Sequence, residues 1–127
     1  MIFSKKNPCL FKYKFLPFFM HNFVILNAAS QSLHLHDTAG FALMNAMIGV
    51  KHGFIKYESA ACGLGGCPFA PGAAGNVATE DLLNLFKQMN IETNIDFDTV
   101  LNAVDKIKDY VEADIVSHMY PYCRNQR

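Results

Sequence analysis

The sequence predicts an α/β fold in which parallel strands alternate with helices. A period-two apolar pattern over "SLHLHD" changes to a helical pattern over residues 38–53, and a second short strand, "FIKYESA", follows. A strand, a helix and a second strand, joined by a crossover of this length, form a parallel pair. Because both faces of a parallel sheet have to be covered, we expect these two strands to belong to a larger sheet.

The first strand and the helix after it have clear boundaries in the sequence. Alternation puts Leu33 and Leu35 on one face of the strand and His34 and His36 on the other. The helical pattern then stops at Gly53, a residue typical of helix ends. The two histidines are therefore expected to project together from the end of the strand.

Two further helices follow the glycine-rich stretch. Thr79 is a predicted N-cap, and Glu80 and Asp81 lie in the first turn, where the helix dipole favours acids. A last helix is predicted to begin at about Asp96. Its spacing predicts one buried face, formed by Phe97, Leu101, Val104, Lys108 and Val111.

Composition limits the classes of partner. The chain has 127 residues, at most one domain, and its eleven basic and eleven acidic residues cancel. No nucleic-acid partner and no membrane partner held by bulk charge is therefore expected. The four cysteines have no zinc-site spacing, and we expect them to be reduced: Cys9, Cys62, Cys67 and Cys123.

Residues 1–30 form a separate segment in our reading. It has no acidic residue, and four lysines precede the apolar run "FLPFFMHNFVIL", which is too short for a membrane span. This layout is typical of a targeting leader, with mitochondria as the expected address and the cytoplasm or peroxisomes as alternatives. The alternative is a divergent segment without function.

The stretch "GLGGCPFAPGAAGN", residues 63–76, places a thiol in a loop where the backbone can approach a ligand closely. Cys67 is a candidate nucleophile or general acid, and the alternative is a small residue tolerated in a loop. Cys62, nearer the strand, is expected to be a packed apolar residue. His34 and His36 can chelate one cation, or they are ordinary histidines at a strand end.

Two more polar residues lie near these histidines in the predicted fold. Asp37 can orient a liganding imidazole or cap the following helix, and both roles can hold together. Asn76 closes the glycine-rich loop, and its amide oxygen can complete an oxygen-rich metal site. Its alternative is an ordinary loop or capping residue.

Two stretches, "LHLHDTAG" and "GLGGCPFAPGAAGNVATEDL", closely resemble the carboxyl-terminal part of the 3-hydroxy-3-methylglutaryl-CoA (HMG-CoA) lyases, over about residues 31–107. The family signature S-x-A-G-L-G-G-C-P-Y is present as "SAACGLGGCPF". The resemblance implies a (β/α)8 TIM barrel, of which this chain carries the last two strand–helix units plus C-terminal helices. It also implies cleavage of HMG-CoA into acetyl-CoA and acetoacetate with bound Mg²⁺ or Mn²⁺.

The resemblance assigns roles to matching positions. It implies His34, His36 and Asn76 as metal ligands, with Asp37 behind them, and Cys67 as the catalytic residue of the proton transfers. The lid loop is expected to include Gly63, Gly65 and Gly66.

Residues 31–127 are thus expected to be the C-terminal part of a lyase barrel that is homodimeric when complete. Because a full barrel needs about 250 residues, we expect no lyase activity from this chain alone. The alternative is an inactive truncated fragment or a non-catalytic interaction module derived from that family.

Overall fold

A computed structural model describes residues 30–66, 74–112 and 115–125. Cys67 and nearly all of the predicted leader lie outside these ranges. The elements, in chain order, are β1 (Ser32–His34), α1 (Ala42–Lys51), β2 (Lys56–Glu58), a 3₁₀ turn (Ala61–Gly63), α2 (Thr79–Gln88), α3 (Phe97–Tyr110) and α4 (Met119–Arg124).

The two strands pair in parallel, as the sequence predicts. Leu33 lies opposite Tyr57, and His34 lies opposite Glu58. The α/β character is therefore confirmed for the described part of the chain. Each strand has only three residues and is shorter than its apolar pattern, because residues beyond the strand ends bond to another segment instead.

That segment, residues 75–79, runs between the carboxyl ends of the two strands. On one side, the Val77 N–H donates to the Leu35 carbonyl at 2.9 Å, and the Asp37 N–H donates to the Gly75 carbonyl at 3.0 Å. On the other side, the Ala60 N–H donates to the Val77 carbonyl at 3.2 Å. The segment thus joins the ends of both strands.

One core lies between the sheet and helices α1 and α2. Helix α1 packs very close to the strands, since a Cβ on Gly49 would lie 2.4 Å from Leu33 Cδ1. The Tyr57 ring meets Phe86 edge-on at 5.0 Å, and burial raises the pKa of Tyr57 to about 12. The buried members of this core are Leu35, Ala42, Ala46, Val77, Leu82 and Phe86.

A second core lies under α3 and α4 and includes Cys62, which is fully buried. The expectation that Cys62 is a packed apolar residue is therefore confirmed. Helix α3 begins as predicted, with the Asp96 carboxylate accepting a hydrogen bond from the Thr99 N–H at 2.7 Å. Hydrogen bonds from the side chain and the backbone of Thr99 lower the pKa of Asp96.

The predicted buried face of α3 is only partly correct. Leu101 and Val104 are buried, but Lys108 is exposed, with its Nζ 5.9 Å from the centre of the Tyr120 ring. Val111 is also exposed, because the helix ends at Tyr110 and the backbone becomes extended.

The start of α2 also differs from the prediction. Ala78 is the N-cap residue, and Thr79 is the first helical residue, with its hydroxyl 2.9 Å from Ser59 Oγ.

None of the helices within the described residues has the length and the apolar content that a membrane span needs.

Candidate functional site

Three predicted site residues lie together at the carboxyl ends of the strands. His34 ends β1, and His36 follows two residues later, on the same face. His36 and Asn76 form an antiparallel bridge. Because directly opposite residues of such a pair project to the same side, the Asn76 side chain shares the face of the two histidines.

The two imidazoles face each other through their Nε2 atoms, which are 3.1 Å apart. On its other side, His34 Nδ1 lies 3.0 Å from Glu58 Oε2, and the second oxygen of Glu58 accepts the Ser32 hydroxyl at 2.5 Å. These hydrogen bonds lower the pKa of Glu58. An Nδ1–H donated to the carboxylate leaves Nε2 of His34 free to bind a cation.

Asn76 has one satisfied and one unsatisfied side-chain atom. Its Nδ2 donates to the Leu64 carbonyl at 2.9 Å, which fixes the orientation of the amide. Its Oδ1 is buried and has no hydrogen-bond partner among the described residues. Buried acceptors are almost always paired, so this oxygen is the atom of the site that is suited to an absent ligand.

These atoms fit a divalent cation. Two imidazole nitrogens about 3 Å apart can both lie about 2.1 Å from one ion, and an amide oxygen is a suitable third ligand. No group of three or more His, Cys, Asp or Glu side chains able to hold a metal occurs within the described ranges.

The glycine-rich loop begins directly beside Asn76. Gly63 and Gly65 have φ values of +71° and +95°, and a Cβ on Gly65 would lie 2.8 Å from Asn76 Nδ2. A Cβ on Gly75 would lie 1.9 Å from the Gly65 carbonyl oxygen. Among the described residues, no atom lies within 4 Å of the position that a Cβ on Gly66 would take. The base of the predicted lid loop thus packs against Asn76, whereas Cys67 lies outside the described residues.

Asp37 lies beside the histidines in sequence but bonds to the helix. Its carboxylate accepts the Ala42 N–H, the first of α1, at 2.8 Å. This contact corresponds to the capping alternative. The orienting role toward an imidazole stays a prediction.

Sequence reasoning missed Glu58. The signal was available, because Lys56 and Glu58 share one strand face in the period-two pattern. A parallel register then places Glu58 beside His34.

The sequence patterns also did not predict that Glu80 and Asp81, the two acids at the start of α2, are buried. The Glu80 carboxylate accepts the Cys62 N–H at 3.1 and 3.3 Å and supports its φ of +63°. Burial raises the pKa of Glu80, and burial with the nearby Glu80 charge raises that of Cys62. Glu80 lies three residues before Leu83, on the same helix face, and this spacing was the available signal.

Curated relatives of this chain are HMG-CoA lyases. It is 44% identical over 78 residues to hydroxymethylglutaryl-CoA lyase of Bacillus subtilis and 46% identical over 80 residues to the cytoplasmic 3-hydroxy-3-methylglutaryl-CoA lyase of Danio rerio. These matches cover 61% and 63% of this chain but only 26% and 24% of the relatives. The chain thus spans about a quarter of the length of these lyases.

Solved structures give the same result. The crystal structure of the Bacillus subtilis HMG-CoA lyase matches with a TM-score of 0.79 and 33% identity, over 86% of this chain and 37% of that one. An HMG-CoA lyase from Acinetobacter baumannii, in complex with coenzyme A and 3-methylmalate, matches with a TM-score of 0.73 and 34% identity, over 82% of this chain and 34% of that one. The HMGL-like family profile matches residues 12–107, which include both histidines, the glycine-rich loop and Asn76, and the chain therefore belongs to the HMGL-like family.

Proposed function

We propose that this chain forms the metal-binding and loop-bearing end of a hydroxymethylglutaryl-CoA lyase, which cleaves HMG-CoA into acetyl-CoA and acetoacetate. One observation carries the proposal: two imidazole Nε2 atoms 3.1 Å apart share a strand-end face with Asn76, whose buried Oδ1 has no hydrogen-bond partner among the described residues. The names of the relatives give the substrate class. The complex with coenzyme A supports an acyl-CoA ligand.

In this proposal His34, His36 and Asn76 hold Mg²⁺ or Mn²⁺. When bound, such a cation supplies Lewis acidity that lowers the pKa of a hydroxyl and polarises a carbonyl. Glu58 holds Nδ1 of His34 and so fixes the imidazole orientation before any ligand arrives. The Leu64 carbonyl accepts the Asn76 amide N–H and so fixes the orientation of the amide that would supply Oδ1.

In this proposal the glycine-rich loop supplies the proton donor of the reaction. Cleavage of the carbon–carbon bond removes a proton from the 3-hydroxyl and delivers one to the departing acetyl-CoA carbon. We assign the delivery to the thiol of Cys67, which follows Gly65 and Gly66 in the loop. Closure of this loop over the thioester would exclude water during the transfer.

The reaction belongs to a complete site, and this chain would supply the last two strand–helix units of a (β/α)8 barrel, within residues 31–127. Its sheet supports this reading, because the face with His34 and Glu58 is open, whereas parallel strands are normally covered on both faces. Relatives carry names with both mitochondrial and cytoplasmic locations. A mitochondrial address for the chain and a homodimeric assembly are parts of the proposal.

Manganese binding tests the site directly. The wild-type chain is titrated with Mn²⁺, and free Mn²⁺ is followed by electron paramagnetic resonance. We expect one site, lost in His36→Ala and kept in His52→Ala, because His52 is an exposed histidine just after α1. Equal binding by the two variants would rule out the proposed ligands.

Acetoacetate formation tests the reaction. The natural protein is isolated with an antibody against residues 97–110, so that any polypeptide completing the barrel is retained. With HMG-CoA and Mn²⁺ we expect acetoacetate and acetyl-CoA in equal amounts. Manganese binding without cleavage by the isolated protein would contradict the lyase assignment while leaving the metal site intact.

A further inference from the structure

The C-terminal segment, residues 115–124, packs against the base of the glycine-rich loop. The Val116 N–H donates to the Cys62 carbonyl at 3.2 Å. A Cβ on Gly63 would lie 2.4 Å from Val116 Cγ2, so the valine occupies the space that a side chain at Gly63 would need. Val116 therefore closes one side of the turn formed by residues 62–65.

Asn76 also contacts this turn. The same Cβ on Gly63 would lie 3.1 Å from the Asn76 carbonyl oxygen, and the Leu64 carbonyl accepts the Asn76 amide at 2.9 Å. Val116 and Asn76 thus both pack against the turn at Gly63. A shift of Val116 would release the turn and, with it, the group that orients the Asn76 amide.

Asp81 holds the C-terminal segment in this position. Its buried carboxylate accepts the Ser117 hydroxyl at 3.0 Å, the His118 N–H at 2.9 Å and the Met119 N–H at 2.7 Å. His118 Nδ1 lies 3.0 Å from the same carboxylate. Such charge-assisted bonds in a buried place are about twice as strong as neutral ones. One carboxylate of α2 therefore fixes the residues directly after Val116.

We propose that Asp81 is a positioning residue for the Asn76 amide. It acts through Ser117 and Val116 on the turn at residues 62–65, and this turn orients the amide. The inference rests on the proposed function in one respect, the role of Asn76 as a ligand. The mechanical link from Asp81 to the turn stands on the contacts alone.

Hydrogen exchange of the 127-residue chain tests the link without a metal. In Asp81→Asn we expect exchange at the amides of residues 62–66 to become about tenfold faster or more. Asp105→Asn is the matched control, because Asp105 also holds α4, through Arg124 and Tyr120. Equal acceleration in both variants would overturn the proposal.

Ser117→Ala keeps the test decisive if Asp81→Asn fails to fold. It removes one of the bonds to Asp81, and we expect a smaller acceleration at the same amides; unchanged exchange there would overturn the link. Manganese affinity is the second readout, expected to fall about tenfold in Asp81→Asn but not in Asp105→Asn. Wild-type chain that binds no Mn²⁺ would contradict the proposed function, whereas the exchange result would still decide the link.

Discussion

The two faces of the strand pair differ in what they contact and in what they can do. On the covered face, Leu33, Leu35 and Tyr57 pack against α1 and α2. On the open face, the side chains of His34 and Glu58 keep 52% and 54% of their accessible surface. Adjacent residues of one strand therefore have different roles. The covered face stabilises the fold, and the open face carries the groups suited to a ligand.

The largest effect should separate two neighbouring residues at the end of β1, Leu35 and His34. Leu35→Ala empties part of the core, and we expect it to lower the free energy of unfolding by about 2–5 kcal/mol in urea titrations. His34→Ala changes an exposed side chain and should alter this free energy by less than about 0.5 kcal/mol. A similar loss in both variants would show that the open face also carries the fold.

The next effect concerns the close contact of α1 with the sheet. Gly49→Ala forces a methyl group against Leu33 and Tyr57, and we expect a loss of about 1–3 kcal/mol in the free energy of unfolding. Met44→Ala, on the exposed side of the same helix, is the control and should cost less than about 0.5 kcal/mol. Unchanged stability in Gly49→Ala would mean that α1 can move outward freely.

On the open face, Glu58→Gln should affect binding rather than folding. The amide cannot hold Nδ1 of His34 as a carboxylate does, so Mn²⁺ affinity should fall about tenfold. The urea midpoint should stay the same, because the side chain is exposed. Lys56→Ala, on the same face, serves as the control and should not lose affinity; an equal loss in it would show that any substitution on this face weakens binding.

The smallest effect is a pH dependence at Glu80. Burial raises the pKa of this carboxyl above its ordinary value of 4.5, so the native state binds its proton more tightly than the unfolded state does. Its stabilising contribution is complete below pH 4.5 and is lost as the pH rises through the raised pKa. Wild-type stability, measured relative to Glu80→Gln, should therefore decrease over this range, and an increase would contradict the assignment.

Local patterns predicted the elements of this fold well. The parallel strand pair followed from periodicity, and the start of α3 followed from Asp96 before a helical pattern. The strand ends did not follow from periodicity, because residues 75–79 bond to the backbone there, from about 40 residues away along the chain for β1 and from about 17 for β2. Such pairing depends on tertiary contacts, which local propensity does not contain.

The sequence also predicted where the candidate site residues lie, but not every contact around them. The positions of His34, His36 and Asn76 on one face agree with the strand pattern and with the bridge between His36 and Asn76, while their role as ligands stays a prediction. For Asp81 the sequence predicted only an acid in the first turn of a helix. Its partners lie 36 to 38 residues further on, so no local pattern indicates its burial.

The position of Asn76 between the two strand ends would link binding of the proposed cation to thermal stability. A cation that binds only the folded chain raises the free energy of unfolding, by about 2.7 kcal/mol at a hundredfold excess over its dissociation constant. Since the residues beside Asn76 join both strands, the rise in the free energy of unfolding would stabilise the strand pair against unfolding. A melting temperature that rises with the logarithm of Mn²⁺ concentration would thus report binding without any measurement of catalysis.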